Sequence, residues 1–522
     1  MRCRSLLLVL LLLSGLQAGD TIRVSVNEWT TVNPLLITQN TDTEAVDLVF
    51  DRLVTIDAQG QFIPELLESW TILKGGREVI LKLRPGMTWQ DGRPIEAADV
   101  VFTWQALRLP RVRLIADTVA GVASLDSLTA EGPLTVRIRL KRPRGSLLSD
   151  LYNFIPVPRH LYQVGAHPAE APINFLPVGS GPYRVVGRAV TKRIVLERWD
   201  GYRGIHPGQA ASFEFWDAQE EKAILADFQQ ERLHYASVPP LLYYLVRKGA
   251  QGQGLVQAMT APQAAFQAYF LNCDAKTSVL GDVGLRKAIS ELVPWQHLAR
   301  AGKFFPSRIA TSFWPPQSVA YDSAPQPLPQ PSRAASMLDA AGWRLGPDGV
   351  RRDGKGRRLV LVAYEPPPAS KPSNAALLAA QAEQIGIRIE VRTLPSLQAV
   401  TDKALNHDGD IWAFGWALST DPDVDSPLFT REGYLTKANL SAYLNPEIDR
   451  LFEEGRYALD QEKRKQIYLK ISKIIDRDVP LIPIHYIQTR VLVHRRLQGV
   501  AFSSLGQSFA FWPGRRGWSL TP

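Results

Sequence analysis

Cysteine is nearly missing from this chain, and so is every motif built on it. Of the 522 residues only two are cysteines, Cys3 and Cys273. If an N-terminal leader carrying Cys3 is removed, no partner remains for an internal disulfide, so an apolar core must supply the stability. Cys-x-x-Cys, His-Glu-x-x-His, Gly-x-Ser-x-Gly and phosphate-loop motifs are also missing. We therefore expect no metal, no cofactor and no catalytic residue.

Long apolar runs are scarce as well. The clearest one, residues 6–13, follows a short basic head and precedes a small residue at Ala18. It is too short to cross a bilayer, so residues 1–18 are predicted to be a secretory signal peptide cleaved near Ala18; an N-terminal membrane anchor is the alternative. Because no cysteine closely follows the run, a lipid anchor is not expected. The predicted location is the periplasm of a cell with two membranes.

The excess of one charge sign is small. The formal net charge is +9, from 60 basic and 51 acidic residues. Such a balance can favour acidic ligands or an anionic membrane surface, but in a chain of this length it is more typical of a scattered, solvated surface. The densest basic run, residues 351–358, contains Asp-Gly and no aromatic residue, and the apolar segment 359–362 follows it. This run is predicted to be a hairpin tip, and no nucleic-acid partner is expected.

Candidate acid–base groups stand alone. No two of the eight histidines have the i, i+4 spacing of a metal pair, and His485 lies among prolines and isoleucines that favour a packed core position. Asp421, Asp423 and Asp425 could serve acid–base chemistry, yet they occupy a proline-containing loop without a partner motif. An enzyme is therefore not predicted.

Strand-like and helix-like spacings alternate along the chain and predict mixed α/β lobes. The segment 359–391 has the order of a β-α-β unit. Strands are predicted at 22–26, 79–83, 136–140, 183–186, 194–198, 267–271, 359–364 and 388–391, and helices at 43–53, from 97, at 284–292, 332–341, 375–385 and 446–457, and after Asp460.

Residues 50–104 form the densest block of ordered motifs, with Trp70, Trp89 and Asp91-Gly92 among them. Further blocks follow at 179–183, 284–289, 445–449 and 478–483. In this order and at these separations they resemble the family 5 extracellular solute-binding proteins of ABC transporters, the class of the dipeptide, oligopeptide and nickel receptors. The resemblance covers essentially the whole chain after residue 18.

This resemblance implies a fold of the type II periplasmic-binding-protein kind: two α/β lobes joined by two crossing strands, with an extra inserted domain, pear-shaped overall. The first lobe would comprise residues 19–62, 178–267 and 489–522, the inserted domain 63–177, and the second lobe 268–488. Ligand would bind between the lobes and favour their hinge closure, which a membrane permease would read. The receptor is expected to be a monomer.

The resemblance also implies a binding segment. Family members hold their ligand partly by backbone pairing along a Gly-Trp segment. The matching residues here would be Trp412, Gly415, Trp416, Ala417, Leu418 and Ser419, with Trp29, Thr31 and Asn33 as the facing wall of the first lobe. The alternative for the aromatic residues is that they pack the second lobe.

One departure from the family pattern limits the prediction of the solute. Peptide receptors of this class have an Asp three residues after the Trp, where it pairs with the α-ammonium group; Ser419 stands there, and the nearest acid is Asp421. A hydroxyl does not replace the charge-assisted bond of a carboxylate. The expected function is capture of peptides or peptide-like solutes. The alternatives are a receptor for an oligosaccharide, opine or metal chelate, and a periplasmic hydrolase or folding factor on the same fold.

Overall fold

The structure is a computed structural model that describes residues 21–26, 31–37, 40–109, 112, 121, 125–162, 167–189, 193–217, 221–249, 252, 254–301, 308–316, 318–322, 328–368, 372–419, 421–502 and 513–521. The predicted signal peptide, residues 1–18, and the wall residue Trp29 lie outside these ranges. Both stay predictions.

Strands and helices alternate through the described residues, which confirms the mixed α/β prediction. The strands are β1 (Thr21–Val26), β2 (Val54–Ile56), β3 (Phe62–Pro64), β4 (Leu67–Leu73), β5 (Glu78–Leu83), β6 (Ser127–Ala130), β7 (Thr135–Arg139), β8 (Tyr183–Ala189), β9 (Arg193–Arg198), β10 (Ser212–Asp217), β11 (Tyr235–Ser237), β12 (Val256–Leu271), β13 (Arg344–Leu345), β14 (Arg351–Arg352), β15 (Val360–Glu365), β16 (Arg388–Thr393), β17 (Ile411–Ala417), β18 (Leu481–His494), β19 (Leu497–Gln498) and β20 (Ser519–Leu520). The helices are α1 (Asn40–Val49), α2 (Ala97–Leu107), α3 (Leu147–Tyr152), α4 (Arg159–Tyr162), α5 (Glu221–Gln229), α6 (Pro240–Arg247), α7 (Val283–Ser290), α8 (Trp295–Ala301), α9 (Pro331–Ala340), α10 (Asn374–Glu383), α11 (Leu397–Leu405), α12 (Arg431–Leu435), α13 (Pro446–Tyr457) and α14 (Gln461–Asp478).

Ten strands form one sheet in the order β16-β15-β17-β12-β18-β11-β1-β10-β9-β8. At its centre β12 and β18, of 16 and 14 residues, pair antiparallel from Val256 opposite His494 to Phe270 opposite Leu481. At one end β12 pairs with β17, and at the other end β18 pairs with β11. Among the described strands, β12 and β18 are therefore the two that run through both halves of the sheet. Their pairing shifts register between Pro262 and Phe266, where the halves meet.

A second sheet lies between two parts of the first one along the chain. It is antiparallel, in the order β4-β5-β7-β6, and it lies in the stretch for which the inserted domain was predicted. On the other side of the crossing strands, β15 and β16 pair in parallel with α10 between them, which confirms the predicted β-α-β unit.

The apolar cores follow the same partition. One continuous core joins the first half of the large sheet to the four-stranded sheet, and it contains Val24, Trp89, Ile138 and Val491. The half built on β15, β16 and β17 has separate cores on its two faces. The four-stranded sheet is therefore packed against the first half of the large sheet.

The conspicuous sequence block at 50–104 is scaffold. Trp89 is fully buried, and its Nε1 donates to Asp99 at 3.2 Å. Gln90 beside it donates to the carbonyl of Tyr183 at 2.7 Å and accepts from the backbone N–H of Gly179 at 2.9 Å, so it joins this block to the first half. The hydrogen bonds of Gln90 therefore connect this block to the first half of the large sheet.

Most of the predicted elements are present, and the two largest differences concern their boundaries. The helix predicted at 43–53 ends at Val49, because residues 54–56 pair with β3. The strand predicted at 267–271 begins eleven residues earlier, at Val256. The basic run 351–358 forms the expected turn, since the Asp353 carboxylate accepts from the N–H groups of Lys355 and Arg357 at 2.9 Å each.

Candidate functional site

The predicted binding segment is a strand with one partly open edge. β17 pairs with β12 over its whole length, from Ile411 to Ala417. On its other edge β15 pairs with it only as far as Trp412. Within the described residues, no strand continues this pairing beyond Trp412. Residues 413–417 of β17 therefore present backbone groups without a strand partner on this edge, which is the geometry that an added strand needs.

The direction of those backbone groups follows from one hydrogen bond. Leu418 N–H donates to the carbonyl of Ala264, on the β12 side, at 2.7 Å. Residues of an antiparallel strand alternate between facing their partner and facing away from it. The N–H and C=O groups of Gly415 and Ala417 consequently point to the open edge.

Gly415 lies close to the side chain of Gln267. A Cβ atom at this position would lie 2.7 Å from Gln267 Nε2 and 3.4 Å from Ile487 Cδ1. Gln267 is opposite Gly415 on β17 and opposite His485 on β18, so the three residues form one row across three strands. The absence of a side chain at Gly415 leaves this polar row accessible next to the crossing strands.

His485 belongs to the same row and is only partly covered. Its Nδ1 is buried and has no hydrogen-bond partner among the described residues. Burial, together with the positive charge of Arg490, lowers the pKa of His485 to about 4, so the ring is neutral at pH 7. The prediction of a packed core histidine did not include this nitrogen without a hydrogen-bond partner.

Trp416 is half-buried, whereas Ala417 is exposed. The Trp416 ring centroid lies 6.3 Å from those of both Phe270 and Phe414, with the rings tilted edge to face. One part of the ring is thus held by the core, and the remainder is free to contact a solute. The prediction that Trp416 lines the cleft stays open.

Trp412 and Leu418 occupy different surroundings. Trp412 has no exposed surface, and its Nε1 donates to the carbonyl of Asp408 at 3.1 Å. Leu418 is also buried, at 6% exposure. For these two residues the structure favours the packing alternative, because a covered side chain does not touch a solute in this state.

Thr31 and Asn33 of the predicted wall are buried and engaged in local structure. Asn33 Oδ1 accepts from the N–H of Leu35 at 3.0 Å and so caps the short 3-10 helix Pro34–Leu36. Its Nδ2 donates to Asn174, and its own N–H donates to Thr31 Oγ1 at 2.9 Å. The polar groups of Thr31 and Asn33 thus form hydrogen bonds within the predicted wall itself.

Asp421 does not supply the missing ammonium partner in this state. Its carboxylate forms a buried ion pair with Arg464 at 2.6 Å and accepts from the N–H of Asp423 at 2.9 Å. Sequence reasoning missed Arg464, which lies 43 residues away on α14. A lone arginine in an amphipathic helix carries no signal of burial.

Ser419 is connected to a second buried acid. Its backbone N–H donates to Asp425 at 3.3 Å, and Trp314 Nε1 donates to the same carboxyl group at 3.0 Å. Burial raises the pKa of Asp425 to about 8, so this group is largely protonated at pH 7. The segment that follows Trp416 thus contains the hydroxyl of Ser419, the largely protonated carboxyl group of Asp425, and Asp421, whose charge is compensated by Arg464. In the described residues, no group of three His, Cys, Asp or Glu side chains is arranged to hold a metal ion.

Comparison with known proteins identifies the class. The model for bacterial extracellular solute-binding proteins, family 5, matches residues 61–434, and the chain belongs to this family. A probable deoxycholate-binding periplasmic protein of Escherichia coli is 24% identical over 480 residues, which cover 87% of this chain and 86% of that protein. The oligopeptide-binding protein AppA of Bacillus subtilis is 24% identical over 505 residues, which cover 93% and 89%.

Solved structures agree on the fold. NikZ from Campylobacter jejuni, in complex with Ni(L-His), aligns with a TM-score of 0.77 and 20% identity, over 96% of this chain and 99% of that chain. Family 5 proteins are receptors, so the chain is a non-catalytic solute-binding protein and the hydrolase alternative is set aside. No helix among the described residues is long and apolar enough to cross a membrane.

Proposed function

We propose that this protein is an exported receptor of an ABC importer that captures peptides or peptide-like solutes between two lobes and delivers them to a membrane permease. The observation that carries the proposal is the open edge of β17 at Gly415 and Ala417, beside the crossing strands. Backbone pairing at such an edge recognises an extended chain and tolerates many side chains.

Hinge closure is the proposed mode of capture. Two long strands connect halves whose apolar cores are separate, and the pairing of these strands is irregular between Pro262 and Phe266. A change of backbone angles over a few residues there rotates one half against the other without disrupting either core. This supports the division into a first lobe (19–62, 178–267 and 489–522), an inserted domain (63–177) and a second lobe (268–488).

The end of the site that follows Trp416 favours a solute that does not depend on a free ammonium group. Ser419 is uncharged, and the charge of Asp421 is compensated by Arg464. The carboxyl group of Asp425 is largely protonated at pH 7 and therefore uncharged. The proposed peptide ligands are therefore bound mainly through their backbone. The same observation supports the second candidate, a non-peptide solute such as an oligosaccharide, an opine or a metal chelate.

Thermal unfolding with two matched probes, tri-alanine and N-acetyl-tri-alanine, tests the proposal. Either peptide at a hundred times its Kd should stabilise the protein by about 2.7 kcal/mol. The two Kd values should agree within about threefold, because no carboxylate pairs with the ammonium group of tri-alanine. Ala417→Pro removes an open-edge N–H and should weaken both peptides, whereas Ala417→Ser retains it. If a wider set of di- to pentapeptides also gave no stabilisation, the peptide proposal would fail. A non-peptide solute identified by mass spectrometry in the purified protein would then support the second candidate.

A further inference from the structure

The two bodies of the protein also touch each other at a place other than the crossing strands. The loop after β7 in the inserted region lies against the turn between α13 and α14. Gly145 N–H donates to the carbonyl of Arg456 at 2.7 Å. Beside it, Arg142 Nη1 lies 2.6 Å from Glu453 Oε1, and its guanidinium lies 5.1 Å from the centre of the Tyr457 ring. We call this contact, of Arg142 and Gly145 with Glu453, Arg456 and Ala458, the clasp.

The clasp requires a residue without a side chain at Gly145. A Cβ atom there would lie 2.3 Å from the carbonyl oxygen of Ala458 and 2.9 Å from Arg464 Nε. A backbone oxygen cannot swing aside as a flexible side chain does, so any larger residue must push the two bodies apart. Gly145 is not among the glycines with positive φ, so its own backbone conformation does not demand glycine. Glycine is needed at this position because the carbonyl oxygen of Ala458, on the opposite body, lies too close for a side chain.

The surroundings of the clasp contain many charged groups, unlike the cores on either side. Burial raises the pKa of Asp150, on the inserted side, to about 6; Arg144 opposes the rise, and Asp421 and Asp423 of the second lobe add to it. The acids of the two bodies therefore lie within electrostatic range of each other. Interfaces built from charged groups and backbone contacts separate more easily than continuous apolar cores do. Three ion pairs meet here: Arg144 with Asp150 at 2.5 Å, Arg464 with Asp421 at 2.6 Å and Arg456 with Asp423 at 3.0 Å.

We propose that the clasp forms when the lobes close and that Gly145 sets the population of the closed state, and thereby the affinity for solute. The proposal rests on the hinge closure proposed above. Gly145 and Arg142 are positioning residues in this scheme, because they act through the closed population and have no contact with the β17 edge. The observed Kd equals the intrinsic Kd divided by the closed fraction. Loss of the clasp therefore weakens every solute by the same factor.

Distances between two spin labels test the clasp without any solute. The labels are attached at Lys141→Cys and Lys465→Cys, two exposed positions on opposite sides of the clasp, in the full chain with Cys3→Ser and Cys273→Ser. We expect a mixture of short and long distances in the parent protein and a smaller share of short distances in Gly145→Val. The control is Gly354→Ala, where an added Cβ has no neighbour within 4 Å and φ is not positive. Identical distributions in the parent and Gly145→Val would overturn the proposal.

Charge reversal provides a second, independent variant. Arg142→Glu alone should lengthen the distance, and Arg142→Glu combined with Glu453→Arg should restore part of the short population, since the pair is made again with exchanged signs. Retention of a cooperative melt would exclude general misfolding in each variant. No lengthening in the single variant, or no recovery in the double variant, would count against the clasp.

Titration with tri-alanine separates the clasp from the proposed function. Gly145→Val should raise the Kd for tri-alanine about tenfold, the equivalent of about 1.4 kcal/mol. If tri-alanine shortened the label distance equally in the parent and in Gly145→Val, at equal Kd, the clasp would be wrong and the receptor function would stand. If no solute changed the parent distance while Gly145→Val still lengthened it, the clasp would stand and solute-driven closure would be wrong.

Discussion

Asp421 and Arg464 form a buried ion pair, with 2.6 Å between Oδ1 and Nη2 and side chains that are 6% and 5% exposed. Asp421 also begins the 3-10 helix Pro422–Leu428, and Arg464 donates to the carbonyl of Gly455 at 3.1 Å. The pair thus fastens the loop after β17 to α13 and α14. Asp421 was a candidate ligand-binding acid, but in this structure its carboxylate stabilises the fold through the ion pair with Arg464.

Removing one partner of this pair should be costly. Arg464→Met leaves the Asp421 carboxylate buried without compensation, and we expect the free energy of unfolding to fall by about 3–5 kcal/mol in urea titrations. Arg477→Met, which breaks the more exposed contact with Asp478, is the matched control and should cost less than about 1 kcal/mol. Asp421→Asn added to Arg464→Met should recover part of the loss. Equal effects of the two arginine variants would contradict the structural role.

Ser419→Asp should create the ammonium site that this chain lacks. A carboxylate three residues after Trp416 can form a charge-assisted bond with a free peptide N-terminus. We expect calorimetry to show tri-alanine tightening about tenfold relative to N-acetyl-tri-alanine, the equivalent of about 1.4 kcal/mol. Ser419→Asn, which adds similar bulk without charge, should leave the ratio of the two Kd values unchanged. An equal gain for both peptides would mean that Ser419 does not lie near the peptide N-terminus.

Trp416→Ala should weaken solute binding at least tenfold while the protein still unfolds cooperatively, because the exposed part of the indole is proposed to contact the solute. Isothermal titration against tri-alanine measures the loss. Trp216→Ala removes another half-buried indole, on β10 far along the sheet from β17, and should leave the affinity unchanged. Unaltered binding in Trp416→Ala would assign this ring to the core alone.

Trp89→Ala should have the opposite profile. The side chain is fully buried and donates to Asp99, so we expect a loss of about 3–5 kcal/mol in the free energy of unfolding. The affinity for tri-alanine, measured below the melting midpoint, should remain near that of the parent protein. An unchanged midpoint together with lost binding would reverse the roles assigned to Trp89 and Trp416.

The buried carboxyl group of Asp425 should make stability depend on pH. Burial raises its pKa from the ordinary value of 3.8 to about 8 on folding, so the folded protein holds a proton that the unfolded chain releases above pH 4. The contribution of this group is fully present below pH 4 and is lost as pH rises towards 8. Asp425→Asn should therefore gain stability relative to the parent as pH increases from 4 to 8 in urea titrations. A constant difference over this range would show that Asp425 is ionised in the folded protein.

Local patterns were enough for most single elements. A helix was predicted at 446–457, and Asn445, directly before it, accepts from the N–H of Glu447 at 2.9 Å and caps α13. The helix predicted after Asp460 is present as α14, and its regularly spaced apolar residues Ile467, Ile471 and Ile475 are buried. These features depend on residues within one or two turns of each other, so a sequence pattern contains them.

The crossing strand β12 was recognised only in part because its surroundings change along its length. Residues 267–271 lie between β17 and β18 in the second half of the sheet, whereas the beginning of the strand belongs to the first half. The covered face changes where the halves meet, so no single alternation pattern extends over its 16 residues. The candidate site departs from prediction for a related reason. Trp412 and Trp416 both belong to one aromatic segment, yet the core covers Trp412 completely and Trp416 only in part.

The sequence alone determined the family, the alternation of strands and helices and the uncharged residue at Ser419, because each is a property of residue types in a fixed order. The tertiary structure decided which acids are compensated, where β17 lacks a neighbour and how closely Gly145 approaches the second lobe. Arg464, Gln267 and Ala458 reach these places from distant parts of the chain, and their effects arise from burial and contact distance. Neither quantity is present in the sequence until the chain has folded.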